Sequence, residues 1–262
     1  MFIWRKVSLL FVMLVAVVAL ISGCDDSVKD SFSRVKDAGE ISFAMSGGYP
    51  PFNFYNSENQ LVGFDVDVAR EVAKRLGVEL KPVTTEWSGI IEGLRSGVYD
   101  GILGSMAVTE ERLKVVNFST PYYYSGAQVM VKAGSALASP EELKGKIIGV
   151  VTGTTFADDA SQLGAGDIKL YKDDTQTLME LNSGVVDGVI TDRVVGVNAM
   201  NAGKYDIAML GSPLRNEDIA VAFKKGDEPL LEKVNAVLAV MHEDGTLSRL
   251  SQKWLKADIT TR

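Results

Sequence analysis

From Gly39 onward the chain alternates between short apolar runs and stretches in which apolar residues recur at helical spacing. Just before it, Val28, Phe32 and Val35, at i, i+4 and i+7, predict a short amphipathic helix closed by Gly39. Ile41–Met45 then reads as a strand. Asp65–Leu76 reads as a helix, with Val68, Val72 and Leu76 on one face and Gly77 as its stop. Val78–Val83 is a second strand, Ser88–Arg95 a helix and Gly101–Gly104 a strand. The pattern starts afresh at Val129. Ser139-Pro140-Glu141-Glu142 has the form of a capping box with proline at the first helical position, and predicts a helix start. Beyond it come a strand over Ile147–Val151, a helix over Thr175–Asn182 and strands at Val189–Thr191 and Ile207–Leu210. Helices over Pro229–Glu243 and Leu247–Leu255 close the chain. Strands alternating with helices throughout predict an α/β protein with mostly parallel sheets.

An internal echo divides this pattern in two. Residues 94–104 (LRSGVYDGILG) and 181–191 (LNSGVVDGVIT) match at an offset of 183 − 96 = 87 positions. Each copy sits where a helix ends at glycine and a buried strand begins at Asp-Gly. An offset of that length is one lobe, not a solenoid repeat. Ligands of open α/β sheets sit outside the carboxyl ends of the strands. Two facing lobes would therefore put Ser46, Ser105, Thr152–Thr155 and Asp192 on one cleft, with Ser105 and Asp192 at equivalent places.

The N-terminus follows neither rhythm. Arg5 and Lys6 precede Val7–Ile21, which is apolar except for Ser8. That run falls short of the ~20 residues of a membrane-spanning helix and suits a secretory leader. It ends in Leu20-Ile21-Ser22-Gly23-Cys24, which resembles a bacterial lipobox, and Cys24 is the only cysteine in the chain. The resemblance implies that residues 1–23 are a lipoprotein signal peptide and that Cys24 is lipidated. Acyl chains then hold the protein on the membrane at ~0.8 kcal/mol per buried CH₂. Residues 24–37 read as a tether with the short helix. Asp25 resembles the inner-membrane retention signal of Gram-negative lipoproteins. The expected location is extracytoplasmic, anchored to the cell membrane, and periplasmic in a Gram-negative envelope.

Composition narrows the chemistry. The 262 residues carry 27 Lys+Arg against 34 Asp+Glu, a formal charge of −7 that becomes −9 once Arg5 and Lys6 leave with the leader. Such a chain is ill suited to nucleic acid. One Cys and one His, His242, exclude a disulfide framework, CxxC redox chemistry and Cys-rich zinc sites. No metal or cofactor is expected, and catalysis is the minority reading. Asp65 and Asp67 mimic the start of a calcium loop, but its glycine and terminal glutamate spacing are absent.

The candidate binding chemistry lies in two charges. Thr109-Glu110-Glu111-Arg112 follows the strand ending near Ser105. Thr109 is a good N-cap, and the two glutamates suit the positive end of a helix. Arg112 does not, which suggests that it turns back to the cleft and grips a carboxylate. Asp192 ends a strand in the other lobe, where a buried carboxylate needs donors or a cation. Together they form the two ends of a zwitterion trap.

With these residues in view the chain resembles the extracytoplasmic solute-binding proteins of polar amino-acid ABC transporters, family 3, from about residue 36 to about residue 257. The carriers are Tyr49-Pro50-Pro51-Phe52, Gly63-Phe64-Asp65-Val66-Asp67, Thr109-Glu110-Glu111-Arg112, Phe118-Ser119-Thr120-Pro121-Tyr122, Leu143-Lys144-Gly145-Lys146, Gly153-Thr154-Thr155 and the segment Asp187 to Asp192. The resemblance implies a two-lobe periplasmic-binding-protein fold, or Venus flytrap, each lobe a mostly parallel sheet flanked by helices, with two crossovers. Residues 38–125 and 220–262 would form lobe 1 and residues 126–219 lobe 2. It also implies a receptor that captures a free L-amino acid, polar or basic, and delivers it to an ABC permease as a monomer.

Carried over by position, Arg112 resembles the residue that binds the α-carboxylate, helped by the amide of Thr155, by neighbouring Thr154 and by the backbone around Ala107. Asp192 resembles the partner of the α-ammonium, aided by Ser105. Tyr49 and Trp87 resemble the aromatic pair that sandwiches the ligand's aliphatic stem. Ser46 stands where members that take cationic side chains often carry an acid, and Ala107 stands where a hydroxyl residue is common. Glu86 and Glu217 are the candidate substitutes for the missing acid. Cyclohexadienyl dehydratase shares the fold and is the enzymatic alternative. It would need a general acid in the cleft, whereas an intact Arg112 and Asp192 pair points to binding.

Overall fold

A computed structural model describes residues 29–262. The expectations for the leader and Cys24 lie outside the described residues. The first helix, α1 (Ser31–Ala38), begins where the Asp30 carboxylate caps the Ser33 amide at 2.8 Å and ends at Gly39, whose φ of 70° allows the left-handed stop. Strand β1 (Glu40–Met45) follows. A small antiparallel sheet of β2 (Gly48–Tyr49), β3 (Asn53–Tyr55) and β4 (Leu61–Val62) comes next. Helix α2 (Phe64–Leu76) buries Phe64, Val68, Val72 and Leu76, and Gly77 terminates it as the sequence predicts. Burying each such side chain stabilises the fold by ~1.5–3 kcal/mol.

Lobe 1 continues with β5 (Glu79–Thr84), a 3₁₀ turn at Trp87–Gly89 running into α3 (Ile90–Arg95), β6 (Gly101–Ala107), α4 (Glu110–Val115) and β7 (Val116–Phe118). Lobe 2 holds β9 (Ile147–Val151), α5 (Phe156–Gln162), β10 (Asp167–Tyr171), α6 (Asp174–Ser183), β11 (Gly188–Asp192) and α7 (Arg193–Asn201). Strands β8 (Tyr123–Lys132) and β12 (Ile207–Lys224) run through both lobes, and α8 (Glu228–Glu243) and α9 (Thr246–Leu255) return to the first.

The sheet order is β10-β9-β11-β8-β12-β6-β1-β5. At one end β5, β1 and β6 are parallel; at the other β10, β9 and β11 are parallel. The two long strands lie antiparallel between them and are the two crossovers. Phe43, Val68, Phe223 and Leu238 fill the first core, and Ile148, Val150, Ala160 and Ile190 fill the second. Both copies of the internal echo are helix-to-strand corners, α3 into β6 and α6 into β11. No helix among the described residues is long and apolar enough to cross a membrane.

Three expectations change. The capping box yields only a 3₁₀ turn, Pro140–Leu143, in which the Ser139 side chain caps nothing. Leu143 is buried there and Lys144 is already extended, so the chain feeds β9 instead of winding further. The strand expected at Ile207–Leu210 is the first quarter of an eighteen-residue strand whose register shifts between Leu210 and Arg215. Helices α5 and α7 and strand β10 had no place in the sequence pattern.

Candidate functional site

The strand ends of both lobes and their crossovers border one cleft. Its lining includes Ser46, Tyr49, Trp87, Ser105, Ala107, Arg112, Thr154, Thr155 and Asp192, but not Thr152, which the sequence also put on the cleft and whose hydroxyl donates instead to the Tyr171 carbonyl at 3.0 Å. Ser105 and Asp192, equivalent in the echo, both reach it.

Arg112 enters from lobe 1. Thr109 caps α4 by accepting the Arg112 amide at 3.1 Å, and the guanidinium bends back out of the helix to donate to the Ala107 carbonyl at 2.8 Å. Only 9% of Arg112 is exposed, and its guanidinium stands 5.8 Å from the Trp87 ring centre. Burial lowers its pKa, helped by the charge of Arg215, and the charge of Glu217 offsets only part of this. The buried cation therefore carries donors for a planar anion.

Asp192 enters from lobe 2 at the end of β11. It caps α7, accepting the Val194 amide at 2.7 Å, and is 2% exposed. Burial, reinforced by the nearby Glu217 charge and opposed by its hydrogen bonds, lifts its pKa to about 7. Asp174, the first residue of α6, is also buried in the lining, takes the Thr191 hydroxyl and has its pKa lifted by burial to about 6. Asp192 and Asp174 thus both line the cleft with no ion-pair partner among the described residues.

The aromatic wall is Tyr49 and Trp87. Tyr49 stacks on Phe52 at 5.4 Å, which stacks on Tyr123 at 5.0 Å. Tyr122 and Tyr123 are fully buried behind this wall. The Trp87 indole donates to the Gly153 carbonyl of the other lobe at 3.3 Å, and Arg112 reaches the same carbonyl at 3.4 Å. Gly153 has φ of 80°, and a Cβ there would lie 3.2 Å from Ser88 Cα, so close approach of the lobes needs glycine at this point. Lys172 pairs with Glu86 across the rim at 2.7 Å. These contacts describe a shut cleft.

The two candidate substitutes for the missing acid part company. Glu86 lies exposed at the rim, paired with Lys172. Glu217 is buried, lines the cleft, and accepts from Arg215 at 2.8 Å and from the Thr155 hydroxyl at 3.1 Å. Arg215 also forks onto Asp159 at 2.9 and 2.8 Å, an arrangement that raises its own pKa further. The Thr154 hydroxyl is turned to the Val151 carbonyl at 2.7 Å. Sequence reasoning missed Arg215, Asp173, Asp174 and Lys172. Asp173-Asp174 does carry a signal, an N-cap pair at a helix start; Arg215 carries none. Asp67 is spent on Lys253, Trp254 and Arg70, and among the described residues no group of His, Cys, Asp and Glu is arranged for a metal.

The sequence profile of bacterial extracellular solute-binding proteins, family 3, matches residues 41–257. The chain belongs to this family. Among family 3 relatives, the L-cystine-binding protein TcyJ of Escherichia coli (strain K12) is 36% identical over 256 residues, covering 97% of this chain and 96% of its own. The L-arginine-binding protein of Pseudomonas aeruginosa is 31% identical over 231 residues, covering 84% and 89%. Among solved structures, the ancestral amino acid-binding protein AncCDT-1, a precursor of cyclohexadienyl dehydratase, superposes with a TM-score of 0.81 at 32% identity, covering 86% of this chain and all of the other. An ancestral arginine-binding protein bound to arginine gives 0.78 at 36% identity, covering 82% and 98%.

Proposed function

We propose that this chain is an amino-acid receptor of an ABC importer that traps a free L-amino acid between its lobes and passes it to the membrane permease. The observation that carries the reading is the meeting of Arg112 and Asp192, from opposite lobes, on one closed cleft. Arg112 takes the α-carboxylate, with the Thr155 amide and the backbone around Ala107 completing the anion site. Asp192 takes the α-ammonium with help from Ser105, and Tyr49 and Trp87 hold the stem. The hinge runs where β8 and β12 cross between residues 38–125 with 220–262 and residues 126–219. A ligand that bridges the lobes binds the shut form better than the open one, and that difference drives closure.

The lining holds Asp173, Asp174, Asp192 and Glu217 against Arg112 and Lys172. That excess of carboxylates favours a polar side chain bearing a second positive group, as in L-arginine, or a second ammonium, as in L-cystine, the ligands for which two relatives are named. Lipidation of Cys24 would tether the receptor, as a monomer, to the outer face of the cell membrane, within reach of its permease.

Calorimetric titration of residues 25–262 with the common amino acids and L-cystine tests the reading. Saturable binding of at least one, abolished by Arg112→Ala, is expected. Binding of none, or binding indifferent to Arg112→Ala, would overturn it. The relatives named above are binding proteins, so capture rather than turnover is the assignment; arogenate consumption above background would reverse it.

A further inference from the structure

Behind the wall of lobe 1 lies a charge that the ligand contacts do not use. Asp65, in the first turn of α2, is fully buried and has no ion-pair partner among the described residues. Its carboxylate accepts from Asn53 Nδ2 at 2.7 Å, Ser105 Oγ at 2.8 Å and Tyr122 Oη at 2.7 Å. Each donor leads back to the cleft. Tyr122 Oη accepts the Ser105 amide at 3.0 Å, and so helps to hold Ser105 at a φ of 64°, a left-handed conformation unusual for serine within a strand. Asn53 Oδ1 accepts from Gly47 N at 2.9 Å and Ser46 Oγ at 3.0 Å, which fixes the loop leading to Tyr49. A carboxylate so placed is costly to keep charged, and an apolar residue would pack there more cheaply.

We propose that Asp65 is a positioning residue that sets the polarity of the lobe 1 wall. By taking the hydroxyl proton of Ser105, and through Asn53 that of Ser46, it leaves both hydroxyls facing the cleft with lone pairs only. Lobe 1 then accepts hydrogen bonds from an ammonium at the Ser105 edge while Arg112 donates to a carboxylate at the other. The inference rests on the reading of the cleft as an amino-acid site and extends it to a residue that touches no ligand.

The test compares amino with des-amino ligands. L-arginine, L-glutamine and L-cystine are each titrated beside the analogue in which one α-amino group is replaced by hydrogen. The wild type prefers the amino form. Asp65→Asn narrows that preference at least about ten-fold while affinity for the des-amino form stays within about three-fold, the size expected for one charge-assisted hydrogen bond. A purely structural role would weaken both forms alike. Ser105→Gly suits the left-handed backbone, deletes the hydroxyl and loses the preference, which keeps the test decisive should Asp65→Asn fail to fold. Asp65→Asn or Ser105→Gly retaining the wild-type preference would overturn the inference alone. A wild type that binds none of the three amino acids would overturn the reading beneath it as well.

Discussion

The two lobes line one cleft with opposite chemistry. Lobe 1 offers a buried cation, Arg112, and two aromatic rings, and keeps its carboxylate, Asp65, behind the wall. Lobe 2 exposes its carboxylates, Asp192 and Asp174, directly to the cleft. Lobe 1 lines the cleft with a buried cation and neutral hydroxyls, and the carboxylates that line it belong to lobe 2, so that cation and those carboxylates face each other only across the gap. On the proposed reading that division couples recognition to closure, and it can be attacked from either side.

The largest effect is expected from Arg112→Ala. Removing one member of a desolvated charge pair costs ~2–5 kcal/mol, so affinity should fall by two orders of magnitude or more in calorimetry. Asp192→Asn should lower affinity by a comparable factor yet raise the melting temperature of the ligand-free protein, because an uncompensated buried charge is gone. An unchanged melting temperature would refute that account of lobe 2.

The third prediction concerns pH. Asp192, with a pKa near 7, and Asp174 and Asp65, near 6, all sit above the ordinary 3.8 of an aspartate. Between about pH 4 and 7 the folded state therefore holds more protons than the unfolded one, and ligand-free stability falls as pH rises through that window. Ligand affinity runs the other way. Below pH 7 the carboxyl of Asp192 takes up its proton, and ammonium binding should weaken by up to roughly ten-fold per pH unit. Melting scans with and without ligand from pH 4 to 8 measure both slopes. The smallest effect is expected from Lys172→Ala. The exposed pair with Glu86 at the rim should change affinity less than about three-fold, an amount that shrinks further in high salt.

Much of this was legible in the sequence. The echo at 94–104 and 181–191 located Ser105 and Asp192, because the strand that follows a helix corner must end at the sheet's edge. Arg112 stood out as a cation expected in the first turn of a helix, but α4 has only six residues and Arg112 falls in its last turn, so the dipole argument does not hold in the structure. Glu217 was a candidate without a direction. Its orientation depends on the register shift in β12 between Leu210 and Arg215, and the polar stretch from Gly211 to Asp218 has no period from which a face could be read. Asp65 looked like an ordinary acid in the first turn of a helix. Only the approach of Asn53, Ser105 and Tyr122 from three separate segments shows that it is buried and bonded.

Strand β12 has a consequence of its own. It pairs with β8 on both sides of the register shift between Leu210 and Arg215, carries Glu217 at the seam where that residue faces Ser125, and ends beside β6 and β7. Flexing the molecule at this seam must swing the Glu217 carboxylate relative to everything around it. On the proposed reading, with Glu217 in the binding cleft and the hinge where β8 and β12 cross, side-chain selectivity and ease of opening would share the same few peptide units.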